Sequence, residues 1–180
     1  MNLNFIALNH KIKVDIKDFI LTGNFDHLKI GQTKSDLAAL LPEPDDFFAD
    51  TTLQEAEIWR YGKIALHFDD HQKLAMIFTS YVKELDGGDC FQLNNWILDK
   101  PVSLIQIQQE LNARFMSYDV RVSTILNYVK IFLNHDIGLT FCPTHQMSSK
   151  PKQNDYNKFT LEAISLTLKG SIFDDSTAYK

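Results

Sequence analysis

Two stretches of the chain combine residue types that do chemistry. His67-Phe-Asp69-Asp70-His71 sets two imidazoles beside two carboxylates, a donor set that suits a divalent ion. Cys142-Pro-Thr-His145 sets a thiol near an imidazole. Nucleophilic catalysis uses that pair when a third group orients the base. Strand alternation weighs against both. It puts His67 on the face opposite Leu66 and Phe68, while Asp69 and Asp70 fall in a turn, where Asp is ordinary. It also puts Cys142 opposite Ile137, Leu139 and Phe141, and His145 falls in a polar loop that is a poor platform for a constellation. His135-Asp136 reads as a turn before a strand. The glycine pair Gly87-Gly88 lacks the Lys-Ser/Thr that follows a phosphate loop. No acid, base and nucleophile converge, so an enzyme is not expected, nor a metal or other cofactor.

The acidic stretch is the more informative polar feature. Between Lys34 and Arg60 there is no Lys or Arg, and Asp36, Glu43, Asp45, Asp46, Asp50, Glu55 and Glu57 lie in that gap. Phe47 and Phe48 sit in its middle. Charge steers an encounter and an exposed aromatic anchors it. The bland alternative is a solvated loop whose Phe residues fold back onto the core. The expected partner-binding residues are therefore Glu43, Asp45, Asp46, Phe47, Phe48, Asp50, Glu55 and Glu57, facing a protein with a basic surface.

The elements that position these residues read as two similar runs. Val14, Ile16, Phe19 and Ile20 fall on one face of a short helix ending near Gly23. Thr33 and Asp36 have capping-box spacing, with Leu37, Leu40 and Leu41 as the buried stripe. Pro42 and Pro44 end that helix. Strand patterns follow over 55–61, 63–68 and 73–81, with short connections that make antiparallel pairs. Residues 91–98 read as a bridging strand. Ser103 and Gln106 repeat the capping box ahead of Ile107 and Leu111. Strand patterns recur over 119–123, 128–134, 137–142 and 158–168. Ile64-Ala-Leu-His-Phe68 returns as Ile137-Gly-Leu-Thr-Phe141, sharing Ile-x-Leu-x-Phe.

The helix entry Leu28-Lys-Ile-Gly-Gln-Thr33, with Leu37, Leu41 and Pro44, resembles the G-x-T-x-x-x-V-x-x-x-L-G-x-P pattern of BamE-like and beta-lactamase-inhibitor-protein-like modules. Trp59, Tyr61, Gly62, Leu66 and Phe68 occupy the place of the later W-x-Y and L-x-F of those modules. The chain is similar, too, to uncharacterised bacterial proteins with a Y-G-x-x-x-L-x-F core. The resemblance covers about residues 28–81. Pro42 stands where the pattern has Gly. It implies tandem modules and a habit of binding proteins, and no catalytic residue.

Composition bounds these readings. The chain has 180 residues, 44% hydrophobic, with thirteen Phe, enough for a packed core. Net charge is -5, so a generally basic field for nucleic acid is missing. Two cysteines imply no disulfide framework. No stretch approaches the roughly 18 apolar residues of a membrane span, and the start lacks the basic, then long apolar, pattern of a secretory signal. The expectation is a cytoplasmic α+β protein of two tandem modules, each of short helices packed on an antiparallel sheet. The modules are 1–84 and 98–180, joined by a linker or bridging strand over 85–97, with a mobile loop over 143–157. The expected function is protein binding, with an immunity or inhibitor protein as its most concrete form. The alternative is small-ligand binding or a structural domain without catalysis.

Overall fold

The expected α+β pair of modules gives way to a mostly-β architecture in the computed structural model, which describes residues 3–48, 52–80, 82–123, 127–133, 136–144 and 153–167. Among them are ten strands and only three α-helices. In chain order these are β1 (Ile12–Asp15), α1 (Ile16–Thr22), α2 (Lys34–Ala38), β2 (Asp46–Phe48), β3 (Ile58–Tyr61), β4 (Ile64–Phe68), β5 (Leu74–Ser80), β6 (Phe91–Asn94), α3 (Leu104–Asn112), β7 (Tyr118–Ser123), β8 (Tyr128–Leu133), β9 (Ile137–Pro143) and β10 (Phe159–Thr167). Two short 3-10 turns, Val82–Glu84 and Gln153–Lys158, complete them. No described helix is long and apolar enough to cross a membrane.

The finding that overturns two separate sheets is the pairing of β5 with β10. Ile77 faces Leu166 and Thr79 faces Ile164 across an antiparallel ladder. This joins two four-stranded meanders into one eight-stranded sheet of order β2-β3-β4-β5-β10-β9-β8-β7. The second meander runs in the reverse order of the first, so β2 and β7 are its outer edges. Ile64 and Ile137 each open the third strand of their meander, β4 and β9. A separate two-stranded parallel ribbon pairs β1 with β6.

Local rules set the helices. Asp15 caps α1 by accepting the Asp18 amide, and Gly23 ends it in the left-handed conformation at φ 77°. Thr33–Asp36 and Ser103–Gln106 both form complete capping boxes, which start α2 and α3. The helices stay short because propensity alone cannot extend them; each is held by the few side chains it buries.

Alternation then gives the sheet two faces. One cross-strand row runs Tyr61, Ile64, Thr79, Ile164, Leu139, Ile131 and Val120. The first six are buried, and Val120 is half-buried at the edge. This face shares one core with Phe19 of α1, Leu37 of α2 and Leu111 of α3. The expected core residues Leu41, Trp59, Leu66, Phe68, Ile77 and Phe141 are buried there as well. The opposite face carries Arg60, Ala65, Phe78, Ser165, Gly138 and Phe132 in one row.

Candidate functional site

The acidic stretch folds as an edge of this sheet. Pro42 begins it, its carbonyl accepting the Tyr61 hydroxyl at 2.9 Å. The Asp45 amide donates to the Arg60 carbonyl at 2.9 Å, and one Asp45 carboxylate oxygen accepts the Gly62 amide at 2.6 Å. Asp45 therefore braces the β3–β4 turn from outside. Phe47 then pairs with Trp59 and Phe48 with Ile58.

Cross-strand partners share a face, so the two Phe side chains point to opposite sides of the edge. Phe47 leans over the rim of the core beside Trp59 and keeps 39% of its surface exposed. Phe48, on the other side with Ile58, keeps 64%. The bland alternative, in which both fold back onto the core, is not what the structure has. An edge strand has no neighbour to cover its outer half, which is the physical reason.

The charges do not act as one uncompensated run. Asp46 pairs with the Arg60 guanidinium at 3.3 Å and accepts the Phe47 amide at 2.8 Å. Glu55 accepts the Thr52 hydroxyl at 3.0 Å. Lys34 is only 4% exposed; its ammonium donates to the Gln54 carbonyl at 2.8 Å and lies 4.9 Å from the centre of the Phe68 ring. Burial lowers the Lys34 pKa, and the charges of Glu55 and Glu57 oppose that. The two cations that bracket the acidic gap in sequence thus fold onto it. Lys34 and Arg60 are the site residues that the sequence reading missed. Their positions at either end of the gap were the available signal, but only the fold brings them in. Glu43 and Glu57 remain exposed. Asp50 lies outside the described residues.

Two grooves lie beside β4. One, of about 310 Å³, is lined by Lys34, Glu55, Glu57, Phe68, Asp69, Asp70 and Gln72. The other, of about 300 Å³, lies on the face away from the core, between Arg60, Lys63, His67 and Phe78. Burial first, and the Arg60 charge second, push the His67 pKa down to about 4, so its imidazole is neutral at pH 7.

The other expected chemistry is dispersed. Asp69 spends one carboxylate oxygen on the backbone amides of His71 and Lys73, each at 2.9 Å, which is turn geometry. His67 faces the groove on the far side of β4 from the core. Among the described residues no three His, Cys, Asp or Glu side chains converge as metal ligands do. Cys142 lies at the end of β9, its thiol pKa raised by burial and by Glu162 against a smaller opposing effect of Lys83. Burial and then Asp45 push the Cys90 thiol up to about 12, with Lys11 opposing. His145 and His135 lie outside the described residues, as does most of the 143–157 loop. The chain matches no protein-family model, no curated protein and no solved structure.

Proposed function

We propose that this chain is a protein-binding module that docks a partner of basic surface on the β2 edge. The observation that carries the reading is Phe48, 64% exposed on an outer strand. A large aromatic held in the open by a rigid sheet loses little entropy when a partner covers it. Exposed carboxylates at Glu43, Asp46 and Glu57 surround the edge. They favour a basic partner and quicken its approach. An immunity or inhibitor protein is the most concrete form of this function.

Five residues sort by role. Asp45 and Asp46 hold the edge through Gly62 and Arg60, so changing them disturbs the fold as well as the charge. Glu43 and Glu57 carry charge at the rim. Phe48 is the anchor. The experiment is affinity capture from cell extract with three baits, wild type, Phe48→Ala, and Glu43→Lys plus Glu57→Lys, read by quantitative mass spectrometry. A protein held by wild type and lost with Phe48→Ala is the expected result. Truncating such an anchor speeds dissociation about 30-fold. The charge reversal should slow association, and more so at low salt. If every protein retained by wild type is retained equally by both variants, the β2 edge is not the docking site.

A further inference from the structure

The other outer strand, β7, carries a different pattern. Tyr118-Asp-Val-Arg-Val-Ser123 is six residues long, twice the length of β2, and no strand among the described residues follows it in the sheet. Its apolar side chains Tyr118, Val120 and Val122 lean against the core but stay half-buried. Asp119, Arg121 and Ser123 lie on the other face. Sheets usually blunt such an edge by keeping it short, as β2 does, or by bending it away. Here the edge is long.

We propose that β7 is a self-association edge: two copies of this chain pair their β7 strands antiparallel about a two-fold axis through Val120. In that register Asp119 of one copy faces Arg121 of the other, twice. Val120 faces Val120, and Tyr118 faces Val122. Residues directly opposite must share a face, so a slip of one position puts each charge against a core-side Val or Tyr. A slip of two in one direction sets Arg121 against Arg121. The same slip in the other direction sets Asp119 against Asp119. Only the register centred on Val120 matches faces and charges together, and opposite-charge and β-branched pairs are the stabilising ones.

Two further features lie near this edge. Within the sheet Arg121 sits directly across from Lys130, and both cations lie over the Phe132 ring, at 4.5 and 4.9 Å. Phe115, three positions before the strand, is 96% exposed at a positive φ of 56°. It is the most exposed large apolar side chain among the described residues. The proposal is separate from the β2 reading, since β2 and β7 are opposite edges and pairing through β7 leaves both β2 edges outermost.

The test is sedimentation equilibrium of the full chain over a micromolar concentration series. Wild type should sediment at twice the chain mass. Asp119→Arg places Arg against Arg, and Arg121→Asp places Asp against Asp; each alone should weaken the dimer at least about 30-fold. Mixing those two variants restores both opposite-charge pairs, so the mixture should form heterodimers as tight as wild type. The double variant Asp119→Arg plus Arg121→Asp should dimerise again. Far-UV circular dichroism checks that each folds, and recovery in the mixture proves it independently. A wild type that stays monomeric throughout, or a dimer indifferent to the single charge changes, overturns the proposal. So does a mixture that fails to associate.

Discussion

The third strands of the two meanders, β4 and β9, are alike on one face and unlike on the other. Toward the core both present Ile, Leu and Phe: Ile64, Leu66 and Phe68 in one, Ile137, Leu139 and Phe141 in the other, all buried. Away from the core β4 presents Ala65 and His67, whereas β9 presents Gly138 and Thr140. The shared face answers one packing demand, because both strands feed a single core. The surroundings of each strand's glycine differ as well. Around β4 the backbone of residues 86–88 closes on the strand's entry turn. Over β9 a lysine side chain lies across a glycine.

The largest expected effect tests the shared face. Phe68→Ala and Phe141→Ala should each cost about 3–5 kcal/mol, since both rings are buried. Phe68 also packs edge-on to Trp59, centroids 4.9 Å apart, and underlies the Lys34 ammonium. Urea unfolding should give one transition for wild type and for both variants, because the two meanders share one core. Two resolved transitions, or a loss below about 1 kcal/mol at either Phe, would break the equivalence of the two strands.

Next come the two glycines. Gly62 sits at φ +58°, and a Cβ there would lie 2.4 Å from the Gly88 amide nitrogen and 2.7 Å from the Asp86 carbonyl oxygen. Both are backbone, and the Asp86 carbonyl also accepts the Lys63 amide at 2.8 Å. Gly62→Ala should therefore cost about 2–3 kcal/mol. At Gly138 the nearest atoms are the Lys130 Cε at 2.4 Å and the Ser165 Oγ at 2.8 Å. The lysine stem can swing aside, so Gly138→Ala should cost about 1 kcal/mol. Equal costs in denaturation midpoints at constant slope would show that the two glycines are equally confined.

This contrast also marks what a sequence can carry. The strands of both meanders other than β2 are legible in the chain because alternation is local, and the capping boxes because their spacing is fixed. The joining of β5 to β10 is not, since nothing local states which strand edges meet. That single pairing turns two expected sheets into one. β2 is hidden for another reason. Asp46-Phe47-Phe48 is three residues with no alternation to read, so the acidic stretch looks like a loop. Its aromatic residues are legible as site candidates, but their exposure is a property of the edge. Phe115 carries no sequence signal at all; its exposure follows from the turn that precedes β7.

The capping boxes offer a smaller test of the same symmetry. Thr33 accepts the Asp36 amide at 3.2 Å, and Ser103 accepts the Gln106 amide at 3.3 Å. Thr33→Ala and Ser103→Ala should each cost about 1 kcal/mol in thermal or urea unfolding. α2 is five residues and α3 nine, so a fraying helix has fewer other holds in the first meander. A larger loss at Thr33 than at Ser103 would sharpen that difference.

The smallest effect separates the two strands by a proton. His67 occupies the place on β4 that Thr140 occupies on β9. Its pKa falls from the ordinary 6.5 to about 4, through burial beside Phe78 and then the charge of Arg60. The folded protein therefore binds this proton more weakly than the unfolded chain. Stability is full above the unfolded value of 6.5 and declines as pH falls through the window down to about 4, because only the unfolded state gains the proton there. The ring is partly open to the groove, so solvent limits the loss to less than about 1 kcal/mol. Carboxylates titrate near the bottom of this window too, which makes the difference between two proteins the right measure. Urea midpoints of wild type and His67→Thr should be compared at about pH 7.5 and about pH 5. Acid should lower the wild-type midpoint more than that of His67→Thr. In the reciprocal change, Thr140→His should bring a new loss over the same window if the second meander desolvates that position as the first does. If wild type and His67→Thr lose stability in parallel, the imidazole is solvated, and the two strands differ in shape but not in their response to acid.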